Sequence, residues 1–281
     1  MNIATRAMIL RLSVGQATFR KLDKDVSREV SDHHAAAADA GRYNKQLIPK
    51  EALLPMAQIA SAARIYVYQN TLPWSDNGDR VLLSSHYFNV MGRMQVFASS
   101  FHVAADKFAA EYDVHRERSR FKLNSLFKDE DYPLAQDVRA KFHFTFGVTP
   151  LPTAGDFRVD MSQDVVDDIK AELTTSTALL TKQAMDSVWE ELRGTISHLR
   201  ARLAPDTRLH ETALSNIEDL MERLPGLNLT NDAGLDQMRS MINQTLVNYN
   251  IKDLRTNDAV RSAALSETDQ ILAQMAGLYG A

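Results

Sequence analysis

Eight histidines and no cysteine decide which chemistry this 281-residue chain can reach. Without a thiol there is no disulfide, no thiolate zinc or iron–sulfur ligation and no cysteine nucleophile, so a transition-metal site must use histidine and carboxylate. Glu111 and His115 stand four apart, on one face of a helix. Zincins require His-Glu-x-x-His and di-iron bundles a paired Glu-x-x-His, and neither occurs. His115 also completes an apolar seam, which favours a packed histidine. His33 and His34 are adjacent and point about 100° apart on a helix, so they cannot chelate one ion together. Asp129-Glu130-Asp131 and Asp167-Asp168 could meet a divalent cation, but the glycine turn of a calcium loop is missing. They read more simply as solvated helix ends. No G-x-x-x-x-G-K-[ST], G-x-G-x-x-G or G-x-S-x-G is present. No catalytic, cofactor-binding or metal-ligating residue is therefore assigned, and no cofactor is expected. A metal-dependent hydrolase using Glu111, His115 and the acidic clusters is the weakest reading considered.

A different chemistry is offered by Arg116, Arg118, Arg120 and Lys122, interrupted by Phe121. Cations clustered beside an aromatic ring are the usual parts of a nucleic-acid contact. A solvated basic helix end, or a contact with an acidic surface, uses the same residues. The net charge of −4 hides a division. Residues 1–150 hold 20 basic and 16 acidic side chains, and residues 151–281 hold 12 and 20.

Elements that would position these groups follow from periodicity. With 44 % hydrophobic and 24 % charged residues the chain is too apolar to be disordered. Tyr87, Met91, Met94, Ala98, Phe101, Ala105, Phe108, Tyr112 and His115 alternate steps of four and three, the seam of a long helix over 85–127 that packs along another helix. A second long helix starts at Ser162 and carries Val165, Ile169, Leu173, Thr177, Leu180, Ala184, Val188, Leu192, Ile196, Leu199 and Leu203. Its mean step of about 3.8 makes the stripe drift, and Pro205 ends it. Shorter helices are expected over 23–41 with Gly41 as the stop, from Pro49 or Pro55 through Val67, and over 207–224, 234–248 and 257–278.

Strand signals are fewer. Met8 to Val14 alternates, as does Phe142 to Val148, and 157–161 reads as another short extended piece. Asn77-Gly78 between two apolar runs signals a hairpin. The strands near 8–14, 142–148 and 157–161 would form one small sheet tying the N-terminus to the middle of the chain. Arg11 interrupts Ala7-Met8-Ile9-Leu10 too early for an export signal, and no run reaches the ~18 apolar residues of a spanning helix, so a cytoplasmic protein is expected.

The stretch Leu123-Asn124-Ser125-Leu126-Phe127, followed by Asp131-Tyr132-Pro133, Phe142-His143-Phe144 and Asp156-Phe157-Arg158, together with Lys21-Leu22-Asp23, resembles a family of uncharacterised proteins encoded by tailed phages and prophages. The resemblance covers about residues 5–160. It implies a gene neighbourhood with a MoxR-type AAA+ ATPase and a von Willebrand factor A-domain protein, and it brings no catalytic residues.

Together these observations predict a mostly α protein: two long helices packed antiparallel, accessory helices and one small β-sheet or hairpin. An N-terminal α+β region, 1–160, would precede a helical region, 161–281. The expected function is non-enzymatic, through protein–protein contacts, as adaptor or client of the AAA+/von Willebrand module. The alternative is a phage DNA-metabolism protein that binds nucleic acid through Arg116, Arg118, Arg120 and Lys122. Homo-oligomers are compatible with either.

Overall fold

The computed structural model describes residues 3–75, 77–153, 155, 162–205 and 207–279. The protein is mostly α with a small sheet, as expected. Its chain divides into two compact units that are not consecutive in sequence. The first gathers residues 1–11, 67–90 and 148–281, and the second gathers 12–66 and 91–147.

In the first unit β4 (Leu72–Pro73) and β5 (Arg80–Leu83) form the expected hairpin, with Leu72 opposite Val81. Gly78 turns it at φ +83°, a conformation that any side chain would strain. β5 pairs antiparallel with β1 (Ala7–Gly15), from Ala7↔Leu83 to Leu10↔Arg80. The strand order is β4-β5-β1-β6, where β6 is His143–Pro150, so the two long-range strands read from alternation do share a sheet. The expected strand at 157–161 lies outside the described residues.

α6 (Gln163–Leu203) stops just before Ala204 and Pro205. Its second half supplies Ala184, Val188, Leu192, Ile196, Leu199 and Leu203 to the core of this unit. From 167 to 183 no side chain is fully buried, so the expected continuous stripe is a core face along only half its length. The core also takes residues from α7 (Thr212–Arg223), α8 (Ala233–Thr245), α9 (Ile251–Thr256) and α10 (Asp258–Tyr279). Arg261 of α10 donates to the carbonyl oxygens of Leu203 (2.9 Å), Ala204 (2.7 Å) and Thr207 (2.8 Å), satisfying acceptors that the end of α6 leaves open. Arg200 pairs with Asp269 further along α10, and the order of these contacts makes the two helices antiparallel. Asp232 caps α8 by accepting from Gly234 N (2.8 Å) and also accepts from Trp189 Nε1 of α6 (3.0 Å).

The second unit is built on aromatic rings. The helix expected over 85–127 is present as α3 (Tyr87–Ala110) and α4 (Tyr112–Leu123), divided at Glu111, whose ψ of 3° leaves the helical range while hydrogen bonding continues on both sides. Met94, Ala98, Phe101, Ala105, Phe108, Tyr112 and His115 are all buried, as the heptad pattern requires. The rings along the seam meet extended chain: Phe101 lies 5.5 Å from Phe144, and Phe108 lies 5.3 Å from Phe142 and 5.5 Å from Phe19. α2 (Lys50–Asn70) adds Met56, Ala60 and Ala63. Gly15 ends β1 where a Cβ would stand 2.1 Å from the His143 ring, so only glycine fits there.

α1 (Lys24–His33) ends earlier than expected, because Ala35 adopts φ +49° and Ala36 N bonds back to Ser31 O at 2.9 Å. That closure leaves Ala36–Ala38 outside the helix, ahead of Gly41. A two-stranded ribbon, β2 (Arg20–Leu22) with β3 (Asn44–Gln46), was not anticipated.

One buried ion cluster joins these pieces. Lys45 Nζ of β3 lies 3.0 Å from Asp23 Oδ2 at the start of α1 and 2.5 Å from Asp131 Oδ2 beyond α4, and donates to Leu126 O at 2.9 Å. Lys21 Nζ of β2 completes it, 2.6 Å from Asp131 Oδ1. Asp131, expected as part of a solvated helix end, is thus a buried partner. The sequence pattern gave no reason to look for Lys45 opposite it. Hydrogen bonding from Lys45 holds Asp23 below the usual carboxylate range. Burial alone would raise Asp131, but Lys21 and Lys45 outweigh it and its pKa is also lowered.

Lys45→Ala would leave Asp23 and Asp131 buried with Lys21 as the one cation in contact. It should cost about 3–5 kcal/mol in denaturant titrations. The two carboxylates have folded pKa values below their unfolded ones. Their stabilisation is therefore complete above pH ~4 and lost as pH falls further, when the unfolded chain binds protons first. Melting temperature against pH should show that acid loss in the wild type and a smaller one in Lys45→Ala.

Candidate functional site

α4 presents three faces, and each holds residues that the sequence singles out. The inward face carries Tyr112, His115 and Ser119. Tyr112 donates its hydroxyl to Pro133 O (3.0 Å), and burial pushes its pKa up to about 12. His115 stacks on Phe108 at 5.7 Å, confirming the packed reading, and its Nε2 is 3.6 Å from Glu111 Oε2. Burial lowers the His115 pKa, Arg118 adds to that, and Glu111 opposes both.

The flank holds Arg116 and Arg120. Both reach Asp129 Oδ1, at 2.6 and 3.0 Å, and Arg120 Nε also bonds Glu117 Oε2 at 3.2 Å. Their guanidinium groups lie over rings, Arg116 at 5.6 Å from the Tyr132 centroid and Arg120 at 4.3 Å from that of Phe127. Asp129 is pulled below the ordinary carboxylate range, first by the hydrogen bond from Arg116. Two of the four cations are therefore already engaged by neighbours in the same unit.

The outward face is what remains. Val114, Arg118, Phe121 and Lys122 follow at steps of four, three and one, which places them together on one side of the helix. Phe121 is 78 % exposed and Val114 53 %. The four basic residues are thus divided: two fold back onto Asp129, and two flank an exposed ring.

The other candidates do not assemble. Among the described residues no three His, Asp or Glu side chains gather where they could share an ion. Glu111 and His115 meet as a pair only. Asp167 accepts from Gln163 Nε2 (2.8 Å) on the exposed half of α6. His33 and His34 close α1 with rings edge to face at 4.9 Å, both exposed. A polar cleft that sequence reading missed lies between α6 and α7, about 460 Å³, lined by Glu191, His198, Asp219 and Arg223. Arg223 is bound to Gln69 O (2.6 Å) and Glu191 Oε1 (3.2 Å) there, so its charge is internally satisfied. The only signal was spacing, seven between Glu191 and His198 and four between Asp219 and Arg223, which has no meaning until the two helices are known to face each other.

No family model matches the chain, and searches of curated proteins and of solved structures find nothing similar. No helix among the described residues is long and apolar enough to cross a membrane.

His115 supplies a measurable consequence of this geometry. Its folded pKa lies below the unfolded value of about 6.5, so the unfolded chain takes up the proton first as pH falls. Stability present above pH ~6.5 should drop steadily below it. His115→Leu should flatten thermal stability between pH 7 and 5 while preserving the seam.

Proposed function

We propose that this protein is a non-enzymatic, phage-type protein that works through protein–protein contact, with the outward face of α4 docking onto a partner. The single observation that carries the reading is the exposed Val114–Phe121 pair flanked by Arg118 and Lys122. An aromatic anchor with adjacent cations suits a shallow apolar pocket rimmed by carboxylates. The partner class comes from the resemblance of residues 5–160 to proteins encoded beside a MoxR-type AAA+ ATPase and a von Willebrand factor A-domain protein. In this reading the chain is adaptor or client of that module in the cytoplasm of a bacterial host. Packing of the two long helices against one another, or coiled-coil pairing with a partner helix, belongs to the same proposal. The exposed first half of α6 is the length free for it.

A second reading is kept because Phe121 between two unengaged cations could also stack on a base. Arg116 and Arg120, closed onto Asp129, weigh against it, since they would have to give up their carboxylate to meet phosphate.

Pull-down and size-exclusion with the ATPase and the A-domain protein, with and without nucleotide, should show association. Phe121→Asp should weaken it at least tenfold, and no association under any of these conditions overturns the partner assignment. A mobility-shift titration at two salt concentrations separates the second reading, because phosphate contacts impose a steep salt dependence. Asp129→Asn, by releasing Arg116 and Arg120, should tighten such binding if it exists and leave the protein complex unchanged.

A further inference from the structure

We propose that Asn77 is a self-modification site in the turn of the β4–β5 hairpin. Its carboxamide condenses with the backbone nitrogen of Gly78, and the product opens to an isoaspartyl linkage. This chemistry needs no partner and does not rest on the reading above.

Asn77-Gly78 is the single Asn-Gly pair in the sequence. Ring closure requires the backbone nitrogen of the next residue to reach the asparagine Cγ, and a side chain on that residue obstructs the approach. Glycine has none. The Gly78 nitrogen gives its proton to solvent and forms a bond to Asn77 Cγ. The Cγ–Nδ2 bond breaks, and Nδ2 takes up a proton and leaves as ammonia. Water then opens the cyclic imide at one of its two carbonyl carbons. Opening at Cγ leaves aspartate in a normal peptide. Opening at the main-chain carbonyl routes the chain through Cγ and makes it one carbon longer. Water is the one co-reactant, and no redox step is involved.

The fold leaves this asparagine unrestrained where it restrains others. Asn228 Nδ2 donates to Asp232 O at 3.0 Å, and Asn248 Nδ2 to Gln244 O at 3.0 Å. Asn250 Oδ1 accepts from Lys252 N at 2.8 Å, and Asn257 Oδ1 from Ala259 N at 3.1 Å. Asn77 is exposed, and among the described residues its carboxamide takes part in no hydrogen bond. Beyond its chain neighbours, nothing among the described residues lies within 4 Å of where a Cβ on Gly78 would stand. Ring closure therefore displaces no packed atom. The restraint on the nucleophile is its own hydrogen bond: Gly78 N donates to Ser75 O at 3.2 Å, the long end of the range for such a bond.

An extra backbone carbon matters here because the turn is short. Trp74 N donates to Asp79 O at 3.1 Å, beside the pair Pro73↔Arg80, and a longer chain between 74 and 79 no longer matches that bond. β4 has two residues and takes the outer position in the order β4-β5-β1-β6, so its pairing with β5 is what holds it in the sheet. Leu72 and Trp74, on either side of Pro73, are buried in the core of the first unit. Loosening the turn reaches that core, whereas a new charge at its exposed tip does not.

The full chain, incubated in neutral buffer and digested at intervals, should convert Asn77 ahead of Asn124, which precedes Ser125, and of every other asparagine. The mass should change by the difference between an amino and a hydroxyl group, and fragmentation that distinguishes the two linkages should find the isoaspartyl form. The rate should lie within tenfold of that for the same chain unfolded in denaturant. It should rise with pH, because the attacking nitrogen must lose its proton. Aged protein should melt below fresh protein, and Asn77→Ser, which has no carboxamide, should show no such ageing. Asn77→Asp carries the product charge on a normal backbone and should melt with the fresh protein. Conversion more than tenfold slower than in the unfolded chain, or another asparagine reacting first, would overturn the proposal. So would aged protein that melts no lower than Asn77→Asp.

Discussion

The second unit depends on one buried ammonium. Lys45 sits between two carboxylates and a carbonyl, with its side chain 2 % exposed: Asp23 opens α1, while Asp131 and the Leu126 carbonyl both belong to the loop after α4. Asp23 is also the cap of α1, accepting from Val26 N at 3.2 Å, so the charge that neutralises Lys45 starts a helix as well. Asp131 fixes the return from α4, and the next residue, Tyr132, donates to Leu47 O at 2.9 Å, two residues past Lys45. Such a cluster adds little net stability compared with an apolar core, because desolvating Lys45, Asp23 and Asp131 offsets most of the attraction, while Lys21 stays half exposed. What it contributes is geometry: few other arrangements of β2, β3, α1 and the loop after α4 would leave all four ions paired.

That geometry determines which cations are left for a partner. With Asp131 drawn inward, Asp129 stays outside and is the nearest carboxylate to the flank of α4. Arg116 and Arg120 close onto it and onto the rings of Tyr132 and Phe127. Arg118 and Lys122 point elsewhere on the helix and escape. The split of a uniform-looking basic run into two used and two unused cations is thus a consequence of where one acidic tripeptide divides between interior and solvent.

Periodicity made the large elements legible. Seven seam residues from Met94 to His115 are buried because a 3.5-residue repeat keeps one side of a helix facing the core for several turns. Asn77-Gly78 located a hairpin, and Pro205 located the end of α6, since both act through local backbone geometry. The failures are equally physical. Ala35 in a left-handed conformation ends α1, and alanine gives no warning of that. A stripe on α6 was readable, but whether anything covers it between 167 and 183 depends on distant chain. The ion cluster was invisible because Lys21, Asp23, Lys45 and Asp131 span more than a hundred residues, and no pattern relates charges at that separation. The charge contrast between halves was real as arithmetic, yet the carboxylate that engages Arg116 and Arg120 comes from residue 129, inside the basic half.

A helix with a dense inner seam needs nothing on its outer side, and solvent-facing positions normally fill with charge. α6 follows that rule, with Asp164, Asp167, Asp168, Lys170 and Glu172 on its exposed first half. α2 and α3 mix the two: Leu54, Ile65, Val96 and Val103 stand exposed beside Gln58, Arg64, Arg93 and Gln95. Fold stability cannot account for the difference, because an exposed valine contributes no burial and a lysine or glutamate would serve helix propensity better. Exposed apolar residues scattered singly need no explanation. On α2 Leu54 and Ile65 stand eleven residues apart, and on α3 Val96 and Val103 stand seven apart, on the side away from each helix's own buried stripe.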